Sequence, residues 1–238
     1  MKINIVTIFP EFFAGPLSLS IPDKAREAGS VAYNIVDLRD YTHDRHRTVD
    51  DYPYGGGAGM VMKPGPFFEC IEALGAKAPI VLLSPRGKVF THADAERYAA
   101  ADELTLLCGH YKDIDQRVAD HLATEEISVG DFVLSGGEIA ALAVIDCCVR
   151  LLPGVMGAPQ SASEESFEDG LLEYPHYTRP ATWTGPDGTE RRVPEVLVSG
   201  HHGKVAEWRL RQREEITRRR RPDLWAKRQV GGGTNEDK

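Results

Sequence analysis

Cysteine is scarce in this sequence and is not spaced for metal binding or cross-linking. The chain contains four cysteines and no CxxC pair, and each thiol lies in an apolar stretch. Zinc sites and disulfide frameworks both need repeated, closely spaced cysteines, so the pattern argues against either. We therefore predict that Cys70, Cys108, Cys147 and Cys148 are small core residues that bind no metal.

The sequence also lacks a long apolar run. No stretch approaches the roughly 18 to 20 apolar residues that a membrane span needs. The first residues, MKINIVTIFPEFF, lack the basic segment, apolar segment and small-residue cleavage site of a secretion signal. We therefore expect a cytoplasmic protein without a membrane partner. A length of 238 residues, 42% hydrophobic and 27% charged, fits one good-sized globular domain and a smaller one.

Positive charge is scarce over most of the chain and is concentrated near its end. The formal net charge of −8 argues against a general nucleic-acid binder. Residues 1–200 contain 17 Lys or Arg against 30 Asp or Glu, whereas residues 201–228 contain 10 against 4. Any contact with a nucleic acid is therefore expected mainly from the C-terminal segment.

This basic segment places arginines close to tryptophans. Four consecutive arginines lie between Trp208 and Trp225. They are Arg218, Arg219, Arg220 and Arg221. Cations beside aromatic rings suit phosphates and unpaired bases, because neutralised phosphates release counterions and rings stack on bases. For Trp208, an amphipathic helix that packs its apolar side inward is a better explanation than contact with a nucleic acid. For the four arginines, contact with RNA or DNA and a plain solvent-exposed charged surface are equally good explanations.

Short β-branched runs alternate with helical patterns over the first 150 residues. The strand candidates are Lys2–Phe9, Val31–Leu38, Ile80–Ser84, Leu104–Cys108, Ile127–Val129 and Phe132–Leu134. The helix candidates are Leu19–Ala28, Pro66–Leu74, Ala93–Ala101, Ile114–Leu122 and Glu138–Leu152. Strand followed by helix, repeated, predicts an α/β fold with a largely parallel sheet and helices on both faces. Ligands of such sheets bind beyond the carboxyl ends of the strands.

A proline and a glycine end the last of these helices and favour a domain boundary soon after it. Pro153 lacks a backbone donor, and Gly154 is free of Cβ strain. Beyond them, Gly157–Glu168 is small, polar and acidic, which is typical of a linker. We assign residues 1–157 to the α/β domain, 158–170 to a flexible linker, 171–230 to a small, mainly helical domain and 231–238 to a disordered tail.

Glycine clusters in loops that follow the predicted strands. The loops are Tyr54–Met60, Ser84–Lys88, Gly109–Tyr111 and Ser135–Glu138. Glycine lets the backbone approach a ligand and supply amide donors, so the loops together suggest a nucleotide-like ligand. Taken singly, each loop is explained better as a tight turn. The sequence contains neither GxGxxG after the first strand nor GxxxxGK[ST], which argues against a dinucleotide enzyme and a P-loop NTPase.

Several segments carry a resemblance that goes beyond these patterns. They are YGGGAGMVMKP (Tyr54–Pro64), LLSPRG (Leu82–Gly87), LLCGHY (Leu106–Tyr111), EISVGDFVLSGGE (Glu126–Glu138), RLLPGVMG (Arg150–Gly157), SFEDGLLEYPHYTRP (Ser166–Pro180) and VPEVLVSGHH (Val193–His202). In order and spacing they resemble the bacterial tRNA (guanine(37)-N(1))-methyltransferase family, over nearly the whole chain from Lys2 to about Arg228. The resemblance implies a SPOUT-class enzyme, an α/β fold with a deep trefoil knot that binds S-adenosylmethionine. It also implies a tRNA substrate and a homodimer with the active site at the subunit interface.

Members of this family hold S-adenosylmethionine among the loops of the knot. Carried over residue by residue, the resemblance implies cofactor contacts from Ser84, Pro85, Gly109, Tyr111, Val129, Gly130, Asp131, Phe132, Val133, Leu134, Gly136 and Gly137. We place tRNA contacts at Arg218, Arg219, Arg220 and Arg221. A structural role at a helix start explains His201 and His202 better, and tRNA contact is the alternative for both. The resemblance also implies a magnesium requirement, although no cluster in the sequence has the form of a dedicated metal cage.

Two residues in these segments match the groups that the reaction requires. Ring nitrogen 1 of guanine carries a proton at neutral pH, so methyl transfer needs a base and a positive group for charge on the ring carbonyl. Asp169, in SFEDGLL, matches the family's general base, and Arg150, in RLLPG, matches the arginine that holds the guanine. From the residues alone, a cap or turn explains Asp169 better, and a cation at a helix C-terminus explains Arg150 equally well.

The sequence departs from the commonest family wording after Cys108. Many members read CGRYEGIDER, whereas this chain reads CGHYKDIDQR, so His110, Lys112, Asp113 and Gln116 replace Arg, Glu, Gly and Glu. Lys112 reverses a charge beside the expected guanine pocket. We therefore assign no catalytic role to Lys112.

Two other functions compete with the methyltransferase. A non-catalytic RNA-binding module would use the basic helices alone, and a doubly wound phosphate or flavin binder would use the loops alone. Intact Arg150 and Asp169 argue against the first, and the missing phosphate-binding motifs argue against the second. The sequence therefore predicts an enzyme that methylates guanosine 37 of tRNA.

Overall fold

The computed structural model describes residues 1–156 and 165–231. The chain divides into two units, residues 1–157 and 158–238. Residues 158–164 of the predicted linker and residues 232–238 of the predicted tail lie outside the described residues. The rest of the predicted linker, residues 165–170, consists of turns and bends.

Strands and helices alternate through most of the first unit. The strands are β1 (Lys2–Thr7), β2 (Ala32–Asp37), β3 (Asp50–Asp51), β4 (Val61–Met62), β5 (Ile80–Val89), β6 (Glu103–Cys108), β7 (Asp113–Ile114) and β8 (Glu125–Ser128). The helices are α1 (Ser20–Glu27), α2 (Pro64–Leu74), α3 (His92–Ala99), α4 (Gln116–His121) and α5 (Glu138–Val149). Short 3-10 helices lie at Pro10–Phe13, Pro16–Ser18 and Leu38–Tyr41. The predicted helices of this unit are confirmed, with ends that differ by a few residues.

The central sheet has five strands in the order β2-β1-β6-β5-β8, and each neighbouring pair is parallel. β1 pairs with β2 along its whole length, from Lys2 opposite Ala32 onward. On its other edge β1 pairs with β6, where Ile5 lies opposite Leu106. Because all five strands run the same way, their carboxyl ends lie at one edge of the sheet. The prediction of a largely parallel sheet is confirmed.

Two strand predictions need correction. Phe132–Leu134 is not a strand: it consists of bends and irregular backbone, and Phe132 and Val133 are 56% and 85% exposed. An apolar run in sequence does not distinguish a core strand from a segment that lines a cavity. β5 also continues beyond the predicted end at Ser84, because residues 84–87 bulge out and Lys88 resumes the pairing with β8.

The side chains of the central strands alternate between two apolar layers, one on each face of the sheet. Along β1, Ile3 and Ile5 enter one core cluster and Val6 enters the other. The first cluster includes side chains of α1, α3 and α5, and the second includes side chains of α2 and α4. The sheet is therefore covered by helices on both faces, as predicted.

The cysteines are free thiols that belong to these layers. Cys70, Cys108 and Cys148 are buried, and Cys147 is half-buried. Burial raises the pKa of Cys70 and of Cys148 to about 12, so both stay protonated and unreactive at neutral pH. The predicted core role is confirmed.

A small second sheet, which the sequence did not predict, positions the first glycine-rich loop. Its order is β3-β4-β7, with β3 and β4 antiparallel and β4 and β7 parallel. The loop Tyr54–Met60 lies between β3 and β4, and the amide of Lys112 donates to the carbonyl of Met60 at 3.0 Å. This small sheet therefore holds the glycine-rich loop beside the turn that follows β6.

Asp94, in the first turn of α3, completes the capping of this helix with a buried, ionised carboxylate, and Thr91 is the N-cap. The amide of Thr91 donates to this carboxylate at 3.1 Å, and the hydroxyl of Thr91 accepts from the Asp94 amide, which completes a capping box. Lys88 donates to the carboxylate at 2.7 Å and Arg97 at 3.3 Å. Burial opposes ionisation, but the hydrogen bonds from Lys88, Thr91 and Arg97 outweigh it and lower the pKa of Asp94 to about 2.

We predict that Asp94→Asn destabilises the fold in a pH-dependent way. At pH 7 the loss should be about 1.5–3 kcal/mol, the range for hydrogen bonds to a charged group. The folded-state pKa lies below the unfolded value of about 3.9, so the stabilisation is complete above that pH and is lost as the pH falls towards 2. Urea unfolding of both proteins from pH 7 to pH 2 measures this, and a constant difference over the whole range would contradict it.

The second unit combines helices with a short hairpin. Its strands are β9 (Thr182–Thr184) and β10 (Glu190–Arg192), and its helices are α6 (Glu195–Val198), α7 (His202–Arg220) and α8 (Pro222–Gly231). The hairpin is antiparallel, and the sequence did not predict it. The sequence predicted a mainly helical segment here, and the residues from Glu195 to Gly231 are largely helical. No helix in the described parts of the chain is long and apolar enough to cross a membrane.

Candidate active site

The bulge in β5 and the loops that follow β6 and β8 enclose one cavity of the first unit. Its lining comprises residues 83–85, 109–113, 127–130 and 132–137, together with Ala140. The cavity has about 660 Å³ of empty space, counted out to its open mouth. It lies at the carboxyl ends of the parallel strands, where ligands of such sheets bind.

The structure brings together nearly all the residues predicted to contact the cofactor. The cavity is lined by Ser84, Pro85, Gly109, Tyr111, Val129, Gly130, Phe132, Val133, Leu134, Gly136 and Gly137. Asp131 is not part of the lining. The lining also includes His110, Lys112, Asp113 and Ser135, which the sequence did not predict although they occupy the same segments. These four residues could have been predicted only from their position beside the predicted residues of the same segments.

One glycine allows two of these loops to pack backbone against backbone. The amide of Gly137 donates to the carbonyl of Gly109 at 2.8 Å. A Cβ on Gly137 would lie 2.8 Å from Cα of Cys108 and 3.0 Å from the amide nitrogen of Gly109, closer than side-chain carbons approach backbone. Gly137 is therefore required by close packing rather than by a turn.

The mouth of the cavity combines exposed apolar side chains with turns that present backbone groups. Phe132 and Tyr111 are 56% and 44% exposed, and Tyr111 has the left-handed φ of 60°. The hydroxyl of Ser128 donates to the carbonyl of Gly130 at 3.0 Å and fixes the turn after β8. Apolar walls with a few oriented polar groups are typical of sites for small molecules and cofactors.

A buried carboxylate fixes the start of α5 beneath the cavity. Glu138 is buried at the first position of α5, and one carboxylate oxygen accepts from the hydroxyl of Thr7 at 2.8 Å. The other oxygen lies 4.0 Å from Nδ1 of His110. A negative charge is favoured at a helix N-terminus. Glu138 thus ties β1 to the helix that follows Gly136 and Gly137.

Lys112 lies across the glycine-rich loop at one side of the cavity. A Cβ built on Gly59 would be 3.4 Å from Cβ of Lys112, and a Cβ built on Gly57 would be 3.2 Å from its Nζ. Both glycines have positive φ angles, 93° and 108°. The departure from the family wording therefore places an ammonium group beside this loop.

Asp169, the predicted base, lies in the second unit at a turn fixed by two arginines. Its carboxylate receives two hydrogen bonds from Arg213 of α7, at 2.5 and 3.1 Å. Its main-chain carbonyl accepts from Arg228 of α8 at 2.8 Å. Asp169 therefore has a structural role in this turn. A catalytic role is compatible with it, because the side chain of Asp169 stays 42% exposed.

Arg150, the predicted guanine ligand, is the C-cap of α5 in the first unit. Its amide donates to the carbonyl of Asp146 at 3.2 Å. A cation is favoured at the C-terminus of a helix by the helix dipole. The position of Arg150 therefore agrees with the structural explanation, a cation at a helix C-terminus. The role of Arg150 in holding the guanine stays a prediction.

The four consecutive arginines divide into two kinds. The guanidinium of Arg218 lies 4.6 Å from the ring centre of Trp225, and Arg221 pairs with Asp223 at 2.7 Å. Arg219 and Arg220 are exposed near the end of α7, where no carboxylate among the described residues pairs with them. The latter two are therefore the better candidates for contact with phosphates.

The two histidines predicted at a helix start lie there. His201 is the N-cap of α7 without a side-chain cap hydrogen bond, and His202 is the first residue of α7. Both are exposed. His202 also lines a groove of the second unit together with Tyr174 and Arg209. These positions leave both imidazoles accessible.

Comparison with known proteins identifies the family. The family model described as tRNA (Guanine-1)-methyltransferase TrmD matches residues 1–227. The chain belongs to this family. A tRNA (guanine-N(1)-)-methyltransferase of Rhodospirillum rubrum is 54% identical over 239 aligned positions, which cover all of this chain and 98% of the relative. Proteins of the same name are 50% identical in Bacillus subtilis, covering 94% of this chain and 92% of the relative, and 55% identical in Gloeobacter violaceus, covering 94% and 98%.

Proposed function

We propose that this member of the tRNA (guanine-1)-methyltransferase family transfers a methyl group from S-adenosylmethionine to ring nitrogen 1 of guanosine 37 in tRNA. The observation that carries the proposal is the cavity at the carboxyl ends of the parallel strands. Of the residues predicted to contact the cofactor, only Asp131 stands outside its lining. The family relationship supports the methyl donor and the tRNA substrate.

The residues present fit S-adenosylmethionine. The packing of Gly137 against Gly109 leaves backbone groups, rather than side chains, at the floor of the cavity, and Phe132 and Val133 supply apolar walls. Such a floor suits the polar edge of an adenine ring. The bound cofactor supplies an electrophilic methyl group on a sulfonium, which leaves as a neutral thioether.

The chain's own residues activate the guanine. The carboxylate of Asp169 takes the proton from ring nitrogen 1, which leaves on that nitrogen the electron pair that it needs to act as a nucleophile. Arg150 holds the guanine and stabilises the negative charge that develops on the ring carbonyl. Because a carboxylate is a weak base for this proton, orientation must supply several kcal/mol of the rate enhancement.

The family relationship supports further proposals about architecture and conditions. We infer a SPOUT-class trefoil knot in the first unit, a homodimer with the active site at the subunit interface, and a cytoplasmic location. We also infer a magnesium requirement.

The exposed arginines of α7 give the proposal a test in tRNA affinity. Replacing Arg219 and Arg220 together by Gln should raise the tRNA Kd about tenfold and flatten its salt dependence by about two phosphate contacts, with cofactor affinity unchanged. Arg26 and Arg117, which pair with Asp23 and Asp115 in the first unit, provide a control double variant with the same loss of charge. Equal weakening by both double variants, in filter binding over a salt series, would argue against a specific contact.

A labelled methyl-transfer assay tests the function itself. Transcripts of one tRNA carrying guanosine or adenosine at position 37 are incubated with the full chain and labelled S-adenosylmethionine. We expect label only in the guanosine transcript. Cofactor binding without transfer to either transcript would indicate a different substrate, and binding of RNA without the cofactor would support the non-catalytic RNA-binding module instead.

A further inference from the structure

We propose that Arg213 is the positioning residue for the base of this reaction: its guanidinium holds the Asp169 carboxylate in one orientation, ready to receive the guanine proton. The proposal rests on the proposed role of Asp169. It goes beyond that role because it assigns the efficiency of the base to a second side chain of the same unit.

The contact between Asp169 and Arg213 engages both carboxylate oxygens. One terminal nitrogen of Arg213 lies 2.5 Å from Oδ1 of Asp169, and the other lies 3.1 Å from Oδ2. A two-pronged contact of this kind fixes the plane of the carboxylate as well as its distance, which a lysine cannot do. The carboxylate of Asp169 is therefore restricted to one orientation.

Arg213 makes this contact from a nearly buried position. Its side chain is 11% exposed, whereas that of Asp169 is 42% exposed. The Nε of Arg213 is buried without a hydrogen-bond partner among the described residues, so the guanidinium hydrogen bonds found within them all go to Asp169. The contact with Asp169 is therefore the polar interaction that the described residues give this guanidinium.

The backbone on both sides of the contact is fixed by one hydroxyl. Thr217 is fully buried, and its hydroxyl donates to the carbonyl of Arg213 at 2.7 Å. The same oxygen accepts from the amide of Leu172 at 2.8 Å. The arginine and the turn that carries the base are therefore held by a common group on α7.

The arrangement leaves the base open to a substrate. A carboxylate has about four acceptor sites on its two oxygens. Arg213 takes one on each oxygen, and the amide of Leu171 approaches Oδ1 at 3.3 Å. Oδ2 accepts no second hydrogen bond among the described residues, although a terminal nitrogen of Arg228 lies 3.7 Å from it, and the 42% exposed side chain leaves this oxygen able to accept from a ring N–H. Arg213 thus orients the base without blocking it.

Single-turnover methyl transfer at saturating tRNA and cofactor tests the proposal. Arg213→Gln should lower the rate constant about 10-fold to 100-fold, the loss typical of a base misplaced by about 1 Å, with tRNA Kd, cofactor Kd and melting temperature nearly unchanged. Arg213→Lys keeps the charge but not the fork, so it should recover only part of the rate. Arg211→Gln, an exposed arginine of the same helix, is the control for lost charge and should keep the rate within about twofold.

Two outcomes would overturn the proposal. Arg213→Gln could match Arg211→Gln in rate, or its loss of rate could be accompanied by an equal loss of tRNA affinity or melting temperature, which would make Arg213 a structural residue. Asp169→Asn is measured alongside to separate this inference from the proposed function. If Asp169→Asn keeps the full rate, the base assignment fails. If it is inactive while Arg213→Gln matches Arg211→Gln, only the role of Arg213 fails.

Discussion

Replacing Asp169 with Asn should lower the rate of methyl transfer by about 100-fold to 10,000-fold, the usual contribution of a positioned general base. Asparagine preserves the size of the side chain and can still accept one hydrogen bond from Arg213, but it cannot take the proton from ring nitrogen 1. The loss should appear in the rate at saturating substrates, because neither the cavity nor the exposed arginines of α7 are altered. Labelled S-adenosylmethionine and a guanosine-37 transcript measure it.

A second aspartate of the same unit provides the matched control. Asp187 is also exposed and also receives two hydrogen bonds from an arginine, Arg191, at 2.7 and 3.1 Å. Asp187→Asn removes the same charge from a similar pair, in the turn between β9 and β10. We expect transfer within about twofold of wild type. A similar loss in both variants would show that the unit, rather than the base, had been damaged.

Gly137→Ala should disrupt the cofactor cavity and destabilise the first unit. The added methyl group would lie 2.8 Å from Cα of Cys108, and neither backbone segment can move aside as a flexible side chain does. Overpacking of this kind costs about 1–3 kcal/mol. Because Gly137 and Gly109 both line the cavity, we expect the cofactor Kd to rise by about tenfold or more, together with a lower melting temperature.

The control for Gly137→Ala is the same substitution where space is open. Gly203 lies in the first turn of α7, and nothing stands within 4 Å of a Cβ built on it. Gly203→Ala should leave cofactor binding unchanged and slightly raise the melting temperature, since alanine favours a helix. Isothermal titration with S-adenosylmethionine and thermal unfolding read both variants. Normal cofactor binding by Gly137→Ala would contradict the assigned packing.

The strands and helices around the central sheet, and its largely parallel character, were predictable because they depend on local patterns. β-branched runs such as Lys2–Thr7 bury side chains on both faces, and helical patterns of adequate length separate them. The place of the cavity followed from topology, since loops after parallel strands meet at one edge. The residues that line the cavity were predicted from the family resemblance. Asp131 was predicted with them but is not part of the lining, because neighbouring residues of one motif do not all face the same cavity.

Other features depended on contacts that no local pattern encodes. β3, β4 and β7 have two residues each, too few for a strand signal, and their pairing joins distant parts of the chain. Phe132–Leu134 has a strand-like composition but lines the cavity. The contact between Asp169 and Arg213 joins residues 44 positions apart, so it could not be predicted from residue type or from spacing.

The chemical position of the transferred methyl group tests the proposed reaction most directly. A tRNA transcript with guanosine at position 37 is methylated by the full chain and analysed by mass spectrometry, after digestion to oligonucleotides that locate the methyl group and to nucleosides that identify it against standards. We predict 1-methylguanosine at position 37 and no other methylated nucleoside, because ring nitrogen 1 carries the proton that gives Asp169 its role. A methyl group on ring nitrogen 7, which bears no proton and needs no base, would contradict the mechanism.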